Sequence, residues 1–209
     1  PKKEKIITFV GKLNHSKGYD LFGKSIIKIL NQHKDWKALV IGDEPREKYN
    51  FSHPRLKLIG WVPHNKTLKF FEKSSITVVP STWEEPFGRT ALEAGSRGSS
   101  VILSKTGGLI ETVSDGFYLK KINSLELYKN LKKLINFKKL RVKNQYKLFS
   151  NVLHKIKPNT EKIDRMRQEL FIAKNITINL NKKNFKIMNI SNFGSRLNYR
   201  LYYISIAKK

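Results

Sequence analysis

The sequence predicts an α/β domain built on a doubly wound parallel sheet. Two observations carry that prediction. Short apolar runs alternate with stretches of helical periodicity through the first half of the chain, the pattern of strands joined by crossover helices. Hydrophobic residues make up 39% of the 209, enough to cover both faces of such a sheet.

The elements follow in order. "KIITFVG" (5–11) is expected to be a buried strand. "GYDLFGKSIIKILNQH" (18–33) places Leu21, Phe22, Ile26, Ile29 and Leu30 on one helical face,. "KALVIG" (37–42) and "LKLIGWV" (56–62) are the next two strands, and "NKTLKFFEKS" (65–74) is a short helix. "SITVVPS" (75–81) is a fourth strand, "GRTALEAGSRG" (88–98) a helix and "SVILS" (100–104) a fifth strand, followed by "GGLIETV" (107–113). From about residue 122 the pattern turns helical, with "SLELYKNLKKLI", "LRVKNQYKLFSNVL" and "TEKIDRMRQELFIA" (160–173). One Rossmann-like domain is therefore expected over residues 1–173. The Asn/Lys-rich residues 174–184 suggest a linker, and "FKIMNIS" (185–191) opens a further strand–helix unit over 185–209. The chain starts at Pro1 and ends on "SIAKK", so it is expected to be a piece of a longer protein. Ligands of a doubly wound sheet bind beyond the carboxyl ends of its strands. Function is thus expected in the loops after the first, fourth and fifth strands.

The formal charge is +26, from 42 basic and 16 acidic residues. Nucleic acid or an anionic membrane face would suit such a chain. The basic residues are 33 Lys and only 9 Arg, and lysine reads bases poorly. They also concentrate late: residues 120–157 hold 12 basic residues and one acid, Glu126, whereas residues 74–118 hold 3 basic residues and 5 acids. Solvated lysine faces of a Lys/Asn/Ile-biased proteome fit this distribution best, with peripheral attraction to an anionic membrane surface the next reading, and both fit better than a nucleic-acid interface. No long apolar run or signal-peptide pattern occurs, so no membrane span is expected. The absence of cysteine excludes disulfides, thiolate zinc sites and cysteine nucleophiles. No cluster with metal-ligand spacing is apparent, and no metal is expected.

"GYDLFGKS" (18–25) matches the phosphate-loop pattern in full, with Gly18, Gly23, Lys24 and Ser25 on its fixed positions,. Its context argues against that reading. A phosphate loop joins a strand end directly to a helix start, and here the strand ends near Val10, eight positions before Gly18. Leu21 and Phe22 are required by the apolar helix face. Lys24 should point to solvent.

The better phosphate site lies upstream. "VGKLNHSKG" (10–18) leaves the first strand carrying Lys12 and Lys17, cations suited to a diphosphate as point charges. His15 could join them. The second candidate site is "PSTWEEPFGRTALEA" (80–94), after the fourth strand. Gly88 allows close backbone approach, and the helix beginning near Arg89 offers free N–H groups, that of Thr90 among them, to an anion. Glu85 and Glu93 bracket this helix start, eight positions apart. A carboxylate accepts two hydrogen bonds in a fork, which suits the vicinal hydroxyls of a ribose or hexose.

"VGKLNHSKG", "PSTWEEPFGRTALEAGSRG" and "SKTGGLIE" together resemble the donor-binding domain of the retaining glycosyltransferases of family 4, the C-terminal half of the GT-B fold. The resemblance covers roughly residues 5–173. It implies sugar transfer with retention from a nucleotide diphosphate sugar to an acceptor hydroxyl, on a glycan or lipid-linked glycan. It implies that Glu85 contacts the transferred sugar, Glu93 holds the ribose, and Lys12 and Lys17 neutralise the diphosphate. Backbone at Gly11, Phe87, Gly88 and Thr90 would line the donor, Gly107 and Gly108 would form the adjoining loop, and the base would lie near Gly60–Val62. Lys12 stands where the family usually has arginine. The resemblance implies no cofactor or metal and an acceptor domain preceding this one, without which donor binding would be weak and turnover absent. A cytoplasmic place, at or near the inner membrane face, is expected from the absence of cysteine and the basic charge,. The rivals are a phosphate-loop nucleotide-binding protein, a basic nucleic-acid-binding module and a nucleotide-sugar epimerase of GT-B fold.

Overall fold

In the computed structural model, which describes residues 3–151, six parallel strands form a sheet in the order β3-β2-β1-β4-β5-β6. The strands are β1 (Glu4–Val10), β2 (Lys37–Ile41), β3 (Leu56–Gly60), β4 (Ser74–Val79), β5 (Ser100–Leu103) and β6 (Phe117–Tyr118). The helices are α1 (Tyr19–Gln32), α2 (His64–Lys73), α3 (Arg89–Ser96), α4 (Leu109–Thr112) and α5 (Ser124–Asn136), with α6 over residues 138–151. The five expected strands and the helices between them are present. The expected helix at 160–173, the linker and the strand at 185–191 lie outside the described residues.

Two apolar layers sandwich the sheet. On one face Phe22, Ile26 and Ile29 of α1 and Leu127 and Leu131 of α5 pack on Ile7, Phe9, Ala38, Val40, Ile76 and Val78. On the other, Phe71 of α2 and Ala91 and Ala94 of α3 pack on Val79, Val101 and Leu103. The period-2 alternation of the strands divides them: Ile76 and Val78 face α1, and Val79 faces α3,. All six residues of β4 are buried, as a central parallel strand requires.

The chain winds outward from β1 through β2 to β3, then returns to pair β4 with the other side of β1. The β1–α1 and β4–α3 loops therefore leave the sheet in opposite senses, and a crevice opens between them. The opposite edge is closed. Asn144 of α6 accepts the Ser100 hydroxyl at 2.5 Å, and the Gln145 side chain donates to the Ser75 carbonyl at 2.8 Å. Both contacts sit where β5 and β4 begin, so only the carboxyl edge is left open there.

Candidate donor site

The β1–α1 loop is shaped by Asn14 and Gly18. Asn14 Oδ1 accepts the Lys17 N–H at 3.1 Å and caps the 3₁₀ turn His15–Lys17,. Gly18 follows in the left-handed region, at φ 69°, and starts α1. The turn is clipped to the β4–α3 loop: the Thr82 N–H donates to the Ser16 carbonyl at 3.0 Å and its hydroxyl to the His15 carbonyl at 2.8 Å.

This clip brings Lys17 and Glu85 together across the crevice. Lys17 Nζ lies 2.6 Å from Glu85 Oε1, and the Ser81 hydroxyl donates to the same oxygen at 2.6 Å. Trp83 covers the ammonium from one side, 5.3 Å from ring centroid to Nζ,. The pair lines a pocket with Gly11, Gly88 and Thr90. Helix α3 begins at Arg89 after Gly88, which has φ 74°, and no side chain caps it. Its first N–H groups are thus available to an anion at the pocket, and the helix dipole favours negative charge there.

Glu93, one turn into α3, is held differently. His64 Nε2 lies 2.9 Å and Arg89 Nε 3.3 Å from Glu93 Oε1. The Gly107–Gly108 loop packs against the backbone of the Glu85 segment. The Gly108 N–H donates to the Glu85 carbonyl at 2.6 Å, and a Cβ at Gly107, with φ 47°, would stand 2.4 Å from that carbonyl oxygen. Phe87 is exposed beside it.

Lys12 is not part of this group. It is exposed, and its charge acts on Glu44 after β2, a carboxylate that the Arg46 guanidinium holds down at about 2. His15 is also exposed, 3.2 Å from Asp20. Among the described residues no group of three or more His, Asp or Glu is placed to hold a metal ion. Ser81, Trp83, Arg89 and His64 are the contacts that motif reading missed.

None of the phosphate-loop positions can cradle a phosphate. Gly18 abuts Pro80, and a Cβ at Gly23 would meet the Phe51 ring at 2.2 Å. The buried Ser25 hydroxyl donates to the carbonyls of Leu21 and Ser124 at 2.7 and 2.8 Å. Lys24 is exposed on α1. Tyr19 and Phe22 belong to an aromatic cluster with Phe9, Tyr49 and Phe51, so the stretch serves the core.

The six-stranded Rossmann-like sheet, with its crevice between the β1–α1 and β4–α3 loops, is the fold of a GT-B glycosyltransferase domain. The chain belongs to the family described as glycosyl transferases group 1, whose model matches residues 1–149. It is 31% identical over 118 residues to the lipopolysaccharide core biosynthesis mannosyltransferase LpcC of Rhizobium leguminosarum, covering 51% of this chain and 33% of that protein. Its fold matches the C-terminal domain of the group 1 family protein LpcC from Francisella tularensis, with a TM-score of 0.60, 26% identity, and 71% of this chain and 86% of that one covered. It also matches Anabaena Alr3699/HepE, solved in complex with UDP and glucose, with a TM-score of 0.66 at 17% identity over 79% of this chain and 49% of that one. The chain spans about a third of the length of the curated relatives it matches.

Proposed function

We propose that this domain binds the nucleotide diphosphate sugar of a retaining glycosyltransferase of family 4. The observation that carries the reading is the Lys17–Glu85 pair set at the uncapped start of α3. In this reading Glu85 receives hydroxyls of the sugar being transferred and Glu93 those of the ribose. Lys17, with Lys12 at longer range, neutralises the diphosphate, helped by N–H groups at Gly88–Thr90. Backbone at Gly11, Phe87, Gly107 and Gly108 shapes the walls. The bond from the sugar's anomeric carbon to the diphosphate oxygen breaks, and the leaving charge falls on Lys17 and the helix start. The acceptor hydroxyl bonds that carbon on the same face and passes its proton to the departing phosphate. The resemblance implies neither metal nor cofactor for this step. Glu85 positions the sugar and is not the nucleophile. The acceptor, a glycan or lipid-linked glycan, binds a preceding domain of the GT-B pair, so the 209-residue chain alone binds donor weakly and does not turn over.

A thermal-shift screen against UDP, GDP, ADP and their sugars tests the donor reading. At least one nucleotide should raise the melting temperature, Glu93→Ala should abolish that shift, and Lys24→Ala should keep it. A shift lost only in Lys24→Ala would restore the phosphate loop and sink this reading.

The late basic surplus has a matching role at the inner face of a membrane. Phe137 between α5 and α6 is 61% exposed, and Lys132, Lys133, Lys138 and Lys139 around it are exposed too. Lysines flanking an exposed aromatic favour an anionic lipid surface. Among the described residues no helix is long and apolar enough to cross a membrane. The chain should sediment with vesicles containing phosphatidylglycerol and not with pure phosphatidylcholine. Replacing those four lysines by glutamine should release it, whereas equal binding to both vesicle types would exclude the charge mechanism.

A further inference from the structure

His64 opens α2 and has no place in the donor contacts proposed above. It nevertheless reaches across to α3, where Nε2 lies 2.9 Å from Glu93 Oε1. Because a carboxylate only accepts, Nε2 carries the proton. Arg89, one turn before Glu93 on α3, sends Nε to the same oxygen at 3.3 Å. Among the described residues, both partners of this carboxylate take Oε1. The glutamate side chain is 19% exposed, so Oε2 stays within reach of a ligand. A carboxylate has about four acceptor sites in all. Two on Oε1 are taken, and those on Oε2 remain for incoming hydroxyls. Two donors arriving from different helices also remove the rotamer freedom that Glu93 would otherwise lose on binding.

We propose that His64 is a positioning residue for nucleotide recognition: it fixes Glu93 Oε1 from α2 so that Oε2 is presented to the vicinal hydroxyls of the donor's ribose. The inference rests on the reading of Glu93 as the ribose contact. The competing explanation is that His64 only stitches α2 to α3. A second ion pair, from Arg97 NH1 at the C-terminal cap of α3 to Glu72 Oε1 of α2 at 3.4 Å, supplies the control for it.

The test is titration calorimetry of the 209-residue chain with UDP, GDP and ADP. The tightest binder is then compared with its 2′,3′-dideoxy counterpart. His64→Ala should weaken the ribonucleotide about fivefold, the loss of one hydrogen bond's worth of positioning, and leave the dideoxynucleotide unchanged. His64→Gln, whose amide can donate at a similar reach, should restore affinity to within about twofold. Glu72→Ala should lower the melting temperature without altering discrimination between the two nucleotides. His64→Ala weakening both nucleotides equally, or neither, overturns the proposal. If Glu93→Ala leaves ribose discrimination intact, the reading of Glu93 falls and the role of His64 falls with it. If Glu93→Ala abolishes discrimination while His64→Ala preserves it, His64 alone is refuted.

Discussion

Gly18→Ala is expected to destabilise the chain by about 3 kcal/mol and to lower its melting temperature by roughly 10 °C. Two costs combine. Gly18 sits at φ 69°, where a side chain costs about 1 kcal/mol or more. Its Cβ would also stand 2.0 Å from the Pro80 carbonyl oxygen and 2.8 Å from the carbonyl carbon. Both are backbone atoms at the end of β4 and cannot rotate aside, so overpacking adds about 1–3 kcal/mol. Displacing Pro80 would pull on Ser81 and Thr82, which hold Glu85 and the 3₁₀ turn. Nucleotide binding should therefore weaken along with stability. Gly60→Ala is the matched control: its φ is 77°, but nothing lies within 4 Å of a Cβ there. It should cost only the backbone strain, about 1 kcal/mol. Equal melting temperatures for the two variants, read by calorimetry, would refute the close-approach argument.

The same glycine shows what was legible in the sequence. Gly18 belongs to a complete phosphate-loop pattern, yet the amphipathic face that includes Leu21, Phe22 and Ile26 already contradicted it, and those residues do pack in the core. Strands β1, β2, β4 and β5 were readable because short, largely apolar runs mark buried parallel strands, whereas β3, with Lys57 inside it and Leu58 exposed, is an edge strand read from its alternation with helices. Strand β6, only Phe117–Tyr118, is too short to carry any periodicity. The sequence placed Lys17 and Glu85 in loops at the carboxyl edge of the sheet, but their contact comes from the pairing of β1 with β4, which no local pattern encodes. Lys12 is exposed on the same loop as Lys17, and its charge acts on Glu44 after β2, a neighbour that the motif reading did not foresee. His64 lies 29 positions from Glu93. Only the packing of α2 beside α3 joins them, and no local pattern encodes that.

Lys17→Ala is expected to weaken nucleoside diphosphate binding about 100-fold, whereas Lys12→Ala should cost only a few-fold. The asymmetry follows from burial. The Lys17 side chain is 27% exposed and already faces the pocket, while Lys12 lies in solvent, where salt screens it. The Lys17 ammonium is paired with Glu85, 2.6 Å away. A diphosphate must share that ammonium, and Glu85 then stands as a like charge beside it. Glu85→Gln should consequently tighten binding of a nucleoside diphosphate that lacks its sugar, because Lys17 is released from its partner. The same substitution in the Lys17→Ala background should recover part of the 100-fold loss by removing the carboxylate's repulsion. In a protein carrying both GT-B domains, Glu85→Gln should still lower the transfer rate, since the amide no longer accepts sugar hydroxyls at both atoms. Opposite signs for diphosphate affinity and turnover in one variant would separate the two roles of this pair. Equal losses for Lys12→Ala and Lys17→Ala in titration calorimetry would move the diphosphate away from the crevice between β1 and β4.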